Sequence, residues 1–121
     1  MKEIIFVGAG GFIGASIRYM ISLWLVRFSQ YSFPLGTFLV NIIGCLAIGF
    51  FMGVGFDKYT AIPFKEFVII GMLGGFTTFS AFGLESFEML QSNQFKTFYI
   101  YVLGSIIFGL MSIRLGIAIS Q

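Results

Sequence analysis

The chain has 121 residues, 58% of them hydrophobic and only 10% charged, with a net charge of +2 and no histidine. A soluble domain is about 25% charged, so a water-soluble fold is excluded, and the lack of histidine excludes both an imidazole metal site and a histidine proton relay. A charge this small, with no basic cluster, argues against nucleic acid as a partner, and the lone Cys45 permits no disulfide within one chain.

A helix crosses the hydrocarbon slab with about 20 apolar residues, and charge spacing divides the chain into four such spans. The first covers Ile4–Val26 and is interrupted by Arg18. Lys2, the apolar stretch behind it and the small residues Gly14–Ser16 imitate a secretory leader. Three further apolar segments follow, so the stretch is read as a membrane span. Glu3–Gly14 also imitates a strand entering a glycine-rich turn whose amides would cradle a dinucleotide. That turn needs a carboxylate about 20 residues further on for the ribose, and after Glu3 the next one is Asp57. The glycines are better explained as a flat face for close helix packing. Arg18 has two readings: it snorkels to the headgroups, or it draws anions into an aqueous vestibule.

The second span, Leu35–Phe56, follows Pro34, which suits a first helical turn. No charge falls between Phe28 and Phe56, and Asn41 stands inside this run. A carboxamide at membrane depth is costly unless it has work to do. Cys45, in the same run, reads as helix packing rather than redox chemistry.

The third span, Phe67–Leu90, contains Gly74-Gly75-Phe76-Thr77-Thr78 near its middle. Adjacent glycines and β-branched threonines are poor helix material. A break here would free backbone groups at membrane depth, which is tolerated only inside protein or against water, and unwound carbonyls can hold a cation. The alternative is an unbroken helix in which Gly74 and Gly75 form a packing notch. Phe79 and Phe82 share one face beyond the threonines. They are either core aromatics or ring edges, positive by their quadrupole, turned toward an anion. Glu85 is placed toward a vestibule and Glu88 at the interface.

The fourth span, Phe98–Ile119, carries Arg114 near its end. Tyr101, Ser105 and Ser112 lie on one side of this helix. Interhelical hydrogen bonds, worth about 0.6 kcal/mol each, are the plain account. Matched by Asn41 and Ser80, the three hydroxyls form a polar track. No lysine or arginine stands at that depth, and hydroxyls, an amide and ring edges suit a small anion that must leave again.

The connections are short, so residues 1–121 are expected to form a single four-helix transmembrane domain. Gly10/Gly14, Gly49/Gly53 and Gly71/Gly75 have the spacing of close helix contacts. With the N-terminus in the cytoplasm, Lys2, Lys58 and Lys65 fall on one side and Arg27 and Lys96 on the other. That near-balance gives no orientation by the positive-inside rule. Either an insertion signal lies elsewhere or the chain inserts both ways. Two opposed copies would then supply the inverted repeat that many transporters build within one chain.

Three motifs resemble the Fluc or CrcB family of fluoride channels. They are Gly10-Gly11-Phe12-Ile13-Gly14-Ala15-Ser16-Ile17-Arg18-Tyr19, then Gly36-Thr37 through Asn41 and Gly44, and Gly74-Gly75-Phe76-Thr77-Thr78-Phe79-Ser80-Ala81-Phe82. The likeness spans essentially the whole chain. It implies an all-α protein of the cell's inner membrane, with four transmembrane helices, a break in helix 3, and assembly as an antiparallel dual-topology homodimer. It further implies passive fluoride efflux through two pores, which lowers fluoride toxicity, and no enzymatic activity. The implied partners are fluoride, a second copy in the opposite orientation and the lipid bilayer, with no nucleic acid. A structural sodium ion (Na+) at the dimer centre would be held by backbone carbonyls of Gly74 and Thr77 from both subunits. Phe79 and Phe82 would be the pore phenylalanines and Asn41 a fluoride-coordinating amide, with Ser80 beside them. Tyr101, Ser105 and Ser112 would be the polar track, and Arg18 and Glu85 would sit at a vestibule. Ala81 departs from the family's threonine and removes a hydroxyl near the pore. The rival function is a dual-topology, proton-coupled exporter of organic cations, which needs a titrating carboxylate in the membrane; Glu85 is the only candidate. A non-conducting scaffold would not need the polar track.

Overall fold

Hydrocarbon offers no water to backbone N–H and C=O groups, so a spanning chain satisfies them within its own helices. The computed structural model describes residues 1–28, 33–55 and 63–121, and among these it is helical with no strand. Helix α1 (Lys2–Val26) runs uninterrupted through its glycines, so this stretch is not a phosphate-binding turn. Helix α2 (Leu35–Val54) starts behind Pro34 and stops at Gly55, whose left-handed φ of 69° is a conformation glycine adopts without steric cost. Phe56, expected to close this span, and the loop charges Asp57 and Lys58 lie outside the described residues.

The third span is broken. Helix α3 comprises Lys65–Leu73, wound with wide i→i+5 hydrogen bonds, and the single turn Gly74–Phe76. The chain then extends at Thr77 (φ −83°, ψ 158°) and Thr78 (φ −150°, ψ 120°) before α4 (Phe79–Gln91) begins. Helix α5 (Phe95–Ser120) completes the set. Four spans, Lys2–Val26, Leu35–Val54, Lys65–Gln91 and Phe95–Ser120, are long and apolar enough to cross a membrane, and the chain is a multi-pass membrane protein.

Glycine lets these helices approach. Helix α1 packs chiefly on α3, and α2 on α5. A β-carbon on Gly10 or Gly14 would be driven into the backbone of Phe67 and Met72. The facing Gly71 and Gly75 are also too tight for a side chain, with a β-carbon reaching 2.6 Å from Val7 O and 2.6 Å from Gly11 O. Gly49 meets the backbone of Ile113 on α5 in the same way, and Gly53 meets the Ser120 hydroxyl and the backbone of Ile117. All three glycine pairs therefore mark helix crossings, where dispersion between close backbones replaces the hydrophobic drive that lipid removes. Large apolar side chains such as Phe12, Trp24, Ile106 and Leu110 stay exposed on the outside.

Candidate functional site

The break re-routes the hydrogen bonds of a continuous helix. Threonine takes extended backbone readily because it branches at Cβ. Thr77 N–H still reaches Leu73 O at 3.0 Å. Thr78 N–H would meet the Gly74 carbonyl in a helix; instead it donates to Asn41 Oδ1 at 2.8 Å, while Asn41 Nδ2 donates to Thr78 O at 3.1 Å. The carboxamide on α2 thus pairs with the interrupted span as a second peptide unit would. Ala81 N–H would meet the Thr77 carbonyl; it donates to Thr78 Oγ1 at 3.2 Å, which makes Thr78 the N-cap of α4. The Gly75 carbonyl, which Phe79 N–H would reach in a helix, accepts from Arg18 Nε at 3.0 Å. Gly74 and Thr77 have therefore both lost their helical donors, and Gly74 is exposed. Free carbonyl oxygens are the donors that alkali cations take from a protein, so this donor set fits the sodium ion implied by the family motif. Thr77 is itself anchored. Its hydroxyl donates to Leu73 O at 2.9 Å, and its methyl occupies the space that a β-carbon on Gly44 would need.

Beside the break, Asn41, Cys45, Phe79, Phe82 and Ser105 line a cleft of about 300 Å³ between α2, α4 and α5. Ser105 Oγ is buried with no hydrogen-bond partner, an arrangement that costs about 1–3 kcal/mol unless something accepts from it. Asn41 uses one Nδ2 hydrogen on Thr78 and keeps the other uncommitted. The rings of Phe79 and Phe82 lie 5.7 Å apart, and Phe79 is 83% exposed. No lysine or arginine lines the cleft. Neutral donors and two aromatic rings line it together, which suits an anion held without a fixed counter-charge.

Other expected members of the track lie elsewhere. Ser80 is exposed, with its hydroxyl 3.3 Å from Thr78 Oγ1, and Ser112, two turns beyond Ser105, does not line the cleft. Tyr101 is fully buried; its ring backs Phe82 at 5.2 Å, and its hydroxyl turns away to Glu85 Oε2 at 2.7 Å.

Arg18 and Glu85 do share a cavity, of about 280 Å³, lined also by Thr37, Thr78 and Ala81. Glu85 is held there by hydroxyls rather than by a base: Thr37 Oγ1 donates to Oε1 at 2.6 Å, and Tyr101 occupies the other oxygen. Thr78 borders both cavities. Ala81 faces the Arg18 side, so the hydroxyl that a threonine would bring is missing from the vestibule rather than from the phenylalanine cleft. Two residues quoted in the sequence motifs were given no side-chain role at the site from sequence. Thr37 stands one helical turn before Asn41, a spacing that already places both on one face. Thr78 precedes the apolar run of α4 as an N-cap threonine does.

A helical bundle built around an interrupted span, with a cavity on each side of the interruption, defines a multi-pass membrane protein. The model of the family described as CrcB-like protein, Camphor Resistance (CrcB), matches residues 5–117, and the chain belongs to that family. Relatives named "Fluoride-specific ion channel FluC" are 42% identical in Flavobacterium psychrophilum (100% of this chain and 98% of the relative) and 36% identical in Phocaeicola vulgatus (100% of both chains). A protein of the same name in Helicobacter pylori strain P12 is 45% identical over 88% of this chain and 84% of its own.

Proposed function

We propose that this chain is a fluoride-selective channel for passive efflux, and that it works as a homodimer of oppositely oriented copies with two pores and a sodium ion between them. The cleft carries this reading. The free Asn41 hydrogen, the unpartnered Ser105 hydroxyl and the rings of Phe79 and Phe82 line it without a fixed cation. The relatives' name agrees with it. A second copy would cover the exposed Gly74 and Phe79 and bring a second pair of Gly74 and Thr77 carbonyls to the cation. The exporter reading is disfavoured, because both Glu85 oxygens already accept from hydroxyls.

The test is purified protein in liposomes loaded with potassium fluoride. Adding a potassium ionophore releases fluoride rapidly, leaves chloride nearly untouched and needs no proton gradient. Equal chloride release, or release only under an imposed pH difference, overturns the reading. Crosslinking between cysteines introduced at opposite ends of α5 tests the opposed orientation.

A further inference from the structure

Arg18 does more at the break than contribute a charge. Gly75 is pressed onto α1, where a β-carbon would come 2.6 Å from Gly11 O and 3.2 Å from Ala15 N. Arg18 continues the Gly11, Ala15 stripe by one further helical turn, and its Nε–H lands on the Gly75 carbonyl at 3.0 Å. That N–H is the inner donor of the guanidinium, so the two terminal amino groups remain for the vestibule. Without it, the Gly75 carbonyl would be a third unpaired oxygen beside Gly74 and Thr77. At membrane depth it would either draw Phe79 N–H back into a healed helix or compete for the cation.

We propose that Arg18 is a positioning residue for the cation site: by holding the Gly75 carbonyl, it keeps the helix open at Thr77–Thr78 with the Gly74 and Thr77 carbonyls free. This rests on the sodium reading above. Substitution separates the role from simple attraction of anions. In Arg18→Gln the amide nitrogen sits at the same position along the side chain as Nε, so the donor survives and the charge is lost. In Arg18→Lys the charge survives, but the donor moves out by one atom. Arg18→Met loses both.

The measurement is thermal unfolding of the purified protein in micelles as sodium replaces N-methyl-glucamine, with fluoride release from liposomes recorded alongside. The expected order is a sodium half-saturation near the parent value for Gln and raised about tenfold for Met, as the loss of one charge-assisted bond implies, with Lys between them. Fluoride release at low ionic strength should follow charge instead, with Lys above Gln. A half-saturation raised as much by Gln as by Met, or unmoved in Lys and Met alike, overturns the proposal while sodium binding stands. A parent protein that does not respond to sodium overturns the sodium reading itself, and this inference with it. If Met fails to fold, the Gln and Lys pair still decides.

Discussion

Asn41→Leu isolates what the carboxamide does for the broken span, because leucine keeps the volume and removes both hydrogen bonds. The Thr78 N–H and C=O, now paired with Asn41 at 2.8 and 3.1 Å, would be left without partners at membrane depth. Each unpaired backbone group costs about 1–3 kcal/mol, so the substitution should destabilise by about 2–6 kcal/mol. The lower end applies if the Thr78 N–H swings back to the Gly74 carbonyl and one residue of helix re-forms. That rescue would recap a carbonyl assigned to the cation, so the variant should also respond more weakly to sodium. Equilibrium unfolding in mixed micelles, titrated with a denaturing detergent, reads the stability, and ionophore-driven fluoride release reads the pathway. A loss below about 0.5 kcal/mol, smaller than a typical single hydrogen bond, would refute the pairing of Asn41 with Thr78 as a structural element. Asn41→Asp is the companion. It keeps an acceptor for the Thr78 N–H but turns a charged oxygen toward the Thr78 carbonyl and the cleft; release should slow, and faster release would reverse the anion assignment.

Three further outcomes are expected. Phe79→Ile and Phe82→Ile should each slow fluoride release several-fold while the proposed dimer persists on size-exclusion chromatography, since ring edges are lost with little change in volume; unchanged release would remove the rings from the pathway. Gly14→Ala should destabilise by about 1–3 kcal/mol, because the new methyl overlaps the Met72 backbone. Gly8→Ala, with nothing within 4 Å, should be neutral or stabilising by up to about 1 kcal/mol, and equal unfolding curves for the two variants would disprove the crossing. Tyr101→Phe should cost about 1.5–3 kcal/mol through the Glu85 carboxylate it leaves half-paired; in the same unfolding assay, a parent-like curve would mean that the hydroxyl is dispensable.

Hydropathy sufficed for the four spans because lipid leaves a crossing segment almost no choice but a helix. The glycine pairs were legible for a related reason: only a missing side chain lets backbones touch. The break was signalled by Gly74-Gly75 and Thr77-Thr78, but composition alone did not decide between break and notch. That decision rests on Asn41, far away in sequence, offering Thr78 a replacement for its helical partners. The wide winding of Lys65–Leu73 left no trace in composition, since i→i+4 and i→i+5 helices draw on the same residues. Periodicity placed Tyr101 with Ser105 and was correct for the helix face. It said nothing of the phenol's reach, which carries the hydroxyl past the cleft to Glu85 on α4. Thr37 completes that contact from α2, and a three-helix meeting of this kind has no signature in any one segment.

The interruption at Thr77–Thr78 has an electrical consequence. The tail of one helix macrodipole and the head of the next meet in mid-membrane, so partial negative charge on the α3 carbonyls and partial positive charge on the first α4 amides lie side by side. An ion of either sign finds a complementary pole at this junction without any ionised side chain having to be sunk in hydrocarbon.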